Sequence, residues 1–196
     1  RDSRAKQSRI YRNKFTLPAE FEALHPFLDG NGRLGRMLIP LFLAKSGLLS
    51  SPVFYISAYF EKNRDEYYDR LLRVSSEGDW TGWTEYFLKA VIEQAKENEG
   101  KTRKILDLWN KTLHDLSDLT GSKSAVDAVD FLFARPVFSG SSFTANPKIK
   151  KPTAQRILKI MRKNKLLYEF RESSGRSPAI YGFRNLMNIV EGDDVF

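Results

Sequence analysis

Twelve consecutive residues, His25-Pro26-Phe27-Leu28-Asp29-Gly30-Asn31-Gly32-Arg33-Leu34-Gly35-Arg36, constrain this chain more than any other stretch. They hold one of its two histidines, three glycines, two arginines, an acid and an amide. Upstream, Ala19 to Leu24 reads as a last helical turn carrying Phe21 and Leu24, and Pro18 restricts that helix to a start near itself. Downstream, Leu34, Met37, Leu38, Leu41 and Phe42 recur at the i, i+3, i+4, i+7, i+8 spacing of a buried helix face. Lys45 and Gly47 suit the C-terminus of that helix. The polar residues are therefore expected on a tight loop that ends at a helix N-terminus.

That placement has a chemical meaning. Free backbone N–H groups and the dipole at a helix N-terminus favour anions, phosphate above all. Gly30, Gly32 and Gly35 carry no Cβ, so the backbone can take positive φ and approach a ligand closely. Arg33 and Arg36 are helix neighbours whose planar forks suit di- or triphosphate oxygens. Asp29 is a hard oxygen ligand of the kind Mg²⁺ takes together with substrate phosphates. His25 is the one side chain of the stretch able to take a proton at neutral pH. A base, a metal clamp and an anion hole together suit transfer of a phosphate-linked group. The plainer alternatives are a Gly-Asn-Gly turn, a structural histidine and two solvated arginines.

The stretch resembles the signature of the Fic/Doc family, His-Pro-Phe-x-Asp/Glu-Gly-Asn-Gly-Arg-x-x-Arg, and agrees with it at every specified position. The resemblance implies AMPylation, the passage of AMP from ATP to a Ser, Thr or Tyr hydroxyl on a target protein. By position, His25 would be the base, Asp29 would hold Mg²⁺, and Asn31 with the Gly30 and Gly32 backbone would surround the α-phosphate. Arg33 and Arg36 would bind the outer phosphates, Leu34 and Gly35 would belong to the same nucleotide-binding turn, and Phe27 would anchor the loop in the core. The Doc branch, which phosphorylates its target, typically carries Lys where this chain has Gly32, and that difference favours nucleotidyl transfer. Tyr67 and Tyr68 fall where related sequences place tyrosines near adenine and ribose, core packing of one of them being equally open. Ser75 stands where some relatives have a nucleotide-touching asparagine.

Two absences qualify the resemblance. Relatives carry several helices and a β-hairpin flap ahead of the signature, and fewer than thirty residues precede His25. A truncated or internally deleted member is therefore expected. Many relatives also carry a restraining Ser/Thr-x-x-x-Glu-Gly/Asn motif whose glutamate pairs with the second arginine, here Arg36. Ala95 precedes Glu99-Gly100 and Met187 precedes Glu191-Gly192 where Ser or Thr is needed, so Arg36 is expected to be free for the γ-phosphate.

The remainder of the chain is expected to be mainly helical. Residues 1–14 are a basic, polar lead-in. Val53 to Phe60 reads as an extended lead into a helix, with Tyr55 and Tyr59 on one face. Helices are expected over Asn63–Ser75, over Trp80 to about Asn98 with Trp83, Phe87, Ala90, Val91 and Gln94 on one side, and over Thr102–Leu119, with Gly100 as the break. His114 sits beside the last stripe and is expected at the surface. A polar Gly-containing segment at 119–123 marks a boundary, which gives a catalytic core over 15–119 and a second domain over 122–190.

In the second domain, Ala125–Ala134 reads as a helix, Val137-Phe138 as a brief extended piece and Pro152–Asn164 as a helix with Ala154, Ile157, Leu158 and Met161 inward. Leu166–Arg171 and Ala179–Phe183 read as two strands, and Glu191–Asp194 as an acidic tail. Helices followed by a hairpin with a basic tip resemble a winged helix-turn-helix, an appendage seen in some Fic proteins. The fold class is thus a Fic-type helical bundle followed by a small α+β winged helix domain. Lys151, Gln155, Lys159, Arg162 and Lys163 share the outward helix face and Arg176 sits at the hairpin tip, the layout of a recognition helix with a wing.

Composition bounds the partners. A net charge of +8 and a pI near 9.6 suit an acidic partner, nucleic acid among them. There is no cysteine, hence no disulfide or thiolate metal site, which is compatible with a reducing cytoplasm. No apolar run is long enough for a membrane helix. The expected partners are ATP with Mg²⁺ and a hydroxyl-bearing protein, with the chain itself as target, DNA and a homodimer all open. Two other functions stay open: a winged-helix DNA-binding regulator with an inert catalytic lobe, and removal of AMP by the same site.

Overall fold

Helix α1 (16–24) runs into the loop at 25–30, and α2 (Asn31–Lys45) leaves it. The computed structural model describes residues 16–50, 54–174 and 177–192. The basic lead-in, Val53 and Arg176 lie outside the described residues. The described chain is mainly helical with one small antiparallel sheet. No helix among the described residues is long and apolar enough to cross a membrane. Its contacts divide it into two compact units, 1–98 and 99–196.

In the first unit, α3 (Ser57–Lys62), α4 (Arg64–Glu77) and the start of α5 (Trp80–Thr120) supply most of an aromatic core. Phe60 packs between Tyr67, Tyr86 and Phe87, and Trp83 and Phe87 are fully buried. Between α4 and α5, Gly78 takes φ 69°, and the Asp79 carboxylate accepts the Gly82 N–H at 2.8 Å, capping the new helix.

Three expectations fail in this unit. The buried stripe of α2 is Asn31, Gly35, Ile39 and Leu43, while Leu34, Met37 and Leu41 are exposed. A helix apolar on more than one side has no unique face by periodicity; here the choice falls where Gly35 leaves room for a neighbour. A Cβ on Gly35 would stand 3.3 Å from the Phe21 ring, so this is the face on which α1 can approach. Phe27 is exposed and not a core anchor, its ring keeping a tilted contact with Phe21, and Leu24 is exposed as well. Pro18 lies inside α1, which is already helical at Thr16.

Gly100 does not break α5: the helix continues to Thr120. A helical glycine costs about 1 kcal/mol relative to alanine, an amount its neighbours readily offset. Arg103 spans the site by pairing with Glu99 one turn earlier at 2.7 Å.

The second unit comprises the rest of α5, α6 (Ala125–Ala134), β1 (Val137–Ser139), α7 (Gly140–Thr144), α8 (Lys151–Lys163), β2 (Tyr168–Arg171), β3 (Ile180–Gly182) and α9 (Arg184–Glu191). Ile105, Leu108, Trp109, Leu113 and Leu116 of α5 pack on its core, as their shared stripe implies. His114 is exposed beside Asp118. The strand order is β1-β3-β2, with Phe138 opposite Tyr181 and Glu169 opposite the other side of the same residue. Val137-Phe138 is thus an edge strand of the sheet and not an isolated extended piece. Helix α8 buries Ala154, Ile157 and Met161, as expected.

Helices α7 and α9 escape sequence reading. Gly-Ser-Ser looks like a loop, but Ser139 caps α7 by accepting the Ser142 N–H at 3.1 Å, and Phe143 fills the core.

Candidate functional site

The loop at 25–30 is built by its own polar groups. His25 ends α1 with φ 43°, its N–H donating to the Phe21 carbonyl at 3.2 Å. This left-handed turn swings the chain out of α1 and leaves the imidazole exposed. Gly30 returns the chain into α2 with φ 82°, a conformation that strains any residue bearing a Cβ. Between them, buried Asn31 clamps the loop. Its Oδ1 accepts the Phe27 N–H at 3.0 Å and its Nδ2 donates to the Phe27 carbonyl at 2.6 Å. Asn31 therefore meets the loop backbone with both ends of its amide.

No side chain caps the start of α2, so its first-turn N–H groups remain available to an anion. On the outer side, Asp29 accepts the Gly30 N–H at 2.6 Å and faces Arg33 at 3.5 Å across one helical turn. Both side chains are largely solvated, 92% and 76% exposed, so the pair contributes little to stability. Leu34 lies on the same exposed side.

Arg36 points elsewhere. It lines a cavity of about 330 Å³ together with Phe60, Glu61, Arg64, Tyr67 and Tyr68. It also borders a more apolar cavity of about 380 Å³ formed with Met37, Pro40, Leu41, Phe54, Tyr55, Ile56 and Ser57. Tyr67 is buried, and its hydroxyl donates to Glu22 Oε1 at 3.1 Å. Burial first, then the Glu22 carboxylate, push this phenol well above its ordinary value, so it stays a donor at neutral pH. Tyr68 is half exposed, packed edge-on to Tyr67 and covered by the Arg64 guanidinium at 5.6 Å. Ser75 is exposed at the far end of α4, bonded to the Leu71 carbonyl.

The structure thus sorts the sequence candidates into two groups around one helix N-terminus. Asp29, Gly30 and Arg33 meet on the solvent side, whereas Arg36, Tyr67 and Tyr68 meet at a cavity. Among the described residues no cluster of three or more His, Asp and Glu side chains could cage a metal ion by itself. Asp29 does suit an ion that takes one protein carboxylate and completes its shell from phosphate and water.

Sequence reading missed Glu22 and Arg64. Glu22 follows Ala19 by three and Pro18 by four, so it continues the buried stripe of α1; a carboxylate on an inward stripe was the available signal. No motif glutamate is expected beside Arg36, and the acid that does approach it, Glu22, comes from α1 outside that motif. A Cβ placed on Gly32 would lie 3.1 Å from Glu22 Oε1 and 3.2 Å from Arg36 Nη1, so the two groups flank one point. Glu99, by contrast, pairs with Arg103.

In the second unit, Lys151, Gln155, Lys159, Arg162 and Lys163 are all exposed on α8. Arg162 is engaged within the unit: it donates to Glu169 at 3.1 Å and lies over the Tyr181 ring at 5.3 Å.

Residues 6–43 match the family model described as the Fic/DOC family. Over 58 residues the chain is 41% identical to "Probable protein adenylyltransferase aq_aa38" of Aquifex aeolicus (strain VF5), a stretch that is 30% of this chain and 15% of that protein. The match therefore spans only a small part of the relative's length.

Proposed function

We propose that the first unit transfers AMP from ATP to a hydroxyl group on a protein. The observation that carries this reading is the uncapped N-terminus of α2, flanked by Asp29 and Arg33 on one side and by the Arg36–Tyr67–Tyr68 cavity on the other. The first-turn N–H groups receive the α-phosphate, and Arg36 takes the outer phosphates. The two tyrosines border the space for the base and ribose. Asp29 holds Mg²⁺, which supplies neutralisation of the triphosphate charge.

In the reaction, the target oxygen forms a bond to the α-phosphorus while the bond between that phosphorus and its bridging oxygen to the β-phosphate breaks. Pyrophosphate leaves. His25, exposed at the mouth of the loop, takes the hydroxyl proton. An anion hole fixed beforehand by the Asn31 clamp needs no rearrangement as charge develops.

Calorimetric titration tests the binding half. Arg36→Ala should weaken ATP by about tenfold or more, the value of a charge-assisted contact, and leave AMP nearly unaffected because AMP lacks outer phosphates. Equal loss for both nucleotides would remove Arg36 from the phosphate site.

The second unit is read as a winged helix. Its three-stranded sheet, the hairpin β2–β3 and the solvent-facing cations of α8 support that reading. Duplex DNA is the partner such a face fits, through Lys151, Gln155, Lys159 and Lys163 more than through the engaged Arg162. Binding should weaken steeply as salt rises. An affinity independent of salt, or none at all, would turn the face over to a protein partner.

A further inference from the structure

We infer that Glu22 is a positioning residue for Arg36, acting through the Tyr67 hydroxyl, and that it thereby sets how firmly this site holds the outer phosphates of a nucleotide. The inference rests on the nucleotide reading above and names a residue outside the signature stretch.

Three helices contribute one group each: Glu22 from α1, Arg36 from α2 and Tyr67 from α4. A phenol hydroxyl has one proton to give and lone pairs to accept with. Here the proton is committed, since Tyr67 donates to Glu22 Oε1 at 3.1 Å. The lone pairs of the same oxygen are left for the Arg36 guanidinium, which lines the same cavity as Tyr67 and flanks the same point beside Gly32 as Glu22 does. Without an acceptor at Glu22, the hydroxyl could turn its proton toward the arginine and oppose it. Tyr67 cannot move away, being buried against Phe60 and Trp83.

Two glycines at the start of α2 make room for this arrangement. A Cβ at Gly32 would stand 3.1 Å from Glu22 Oε1 and 3.2 Å from Arg36 Nη1. A Cβ at Gly35 would stand 3.5 Å from the same Glu22 oxygen. The space these residues leave open is therefore filled by protein side chains from α1 and α2.

The test compares ATP and AMP affinities by calorimetry in the full chain. Glu22→Ala and Tyr67→Phe should each weaken ATP by about tenfold with AMP unchanged, and the double variant should lose no more than either alone. Glu22→Gln keeps an acceptor oxygen for Tyr67 and should stay within about threefold of the unaltered chain. The inference is overturned if ATP and AMP fall together, if the losses add, or if Glu22→Gln falls as far as Glu22→Ala while Tyr67→Phe binds normally.

A second readout needs no nucleotide. In an alkaline titration followed by tyrosinate absorbance, with Tyr67→Phe assigning the signal, Glu22→Gln should make Tyr67 ionise at lower pH. An unchanged titration means that Glu22 does not meet Tyr67. If the unaltered chain binds neither nucleotide, the proposed function fails and the phosphate role with it, while this titration separately decides whether the contact exists.

Discussion

Replacing His25 by asparagine should lower AMP incorporation by about 10²–10⁴-fold, the span a positioned general base contributes, while ATP affinity stays nearly unchanged. The choice of asparagine matters. His25 holds φ 43°, and histidine, asparagine and glycine tolerate that region better than other residues. Alanine, several-fold less favoured at positive φ than histidine, would add backbone strain to the loss of the imidazole, mixing a loop defect with a chemical one. His25→Gly serves as the second variant. Rate measurement with α-labelled ATP and titration with unlabelled ATP, on one preparation, separate the two effects. Unimpaired incorporation in both variants would take the proton-transfer role away from His25.

The second large effect belongs to Asn31. Its amide satisfies both the N–H and the carbonyl of Phe27 from a buried position, so Asn31→Ala breaks two hydrogen bonds at once. Each orphaned group has partial access to water through the exposed loop, which moderates the penalty. About 1–3 kcal/mol of unfolding free energy should be lost, together with most ATP affinity, because the clamp sets where the first-turn N–H groups point. Asn31→Asp keeps an acceptor for the Phe27 N–H but sets a carboxylate against the Phe27 carbonyl, and it should fare no better. Denaturant unfolding and ATP titration measure the two losses. Full ATP binding by a destabilised Asn31→Ala chain would show that the clamp serves the fold alone.

These expectations draw on features of unequal legibility. The loop between two helices could be read from His25 to Arg36 because glycine, proline and amide spacing act locally, within a turn or two of chain. The same holds for α6, whose observed bounds are those its stripe implies, and for the inward side of α8. The Gly78–Asp79 cap is equally local.

What could not be read depends on which neighbour arrives. The buried face of α2 is decided by α1 closing on Gly35, and no periodicity within α2 carries that information. Glu22 matters because α4 brings Tyr67 against it across 45 residues of sequence. The split of Arg33 from Arg36 is of the same kind, since three residues of helix separate a solvated side chain from one at a cavity. Gly100 shows the opposite failure, a local signal outvoted by the long helix around it.

Which phosphorus of ATP is attacked separates adenylyl from phosphoryl transfer. The full chain should be incubated with Mg²⁺ and ATP labelled at either the α- or the γ-phosphate, and the protein-bound label counted after denaturation. Label should be retained from the α-position and not from the γ-position, and the His25→Asn chain should retain neither. Protein-bound γ-label, or no label from either position with a folded chain and saturating ATP, would contradict adenylyl transfer at this site.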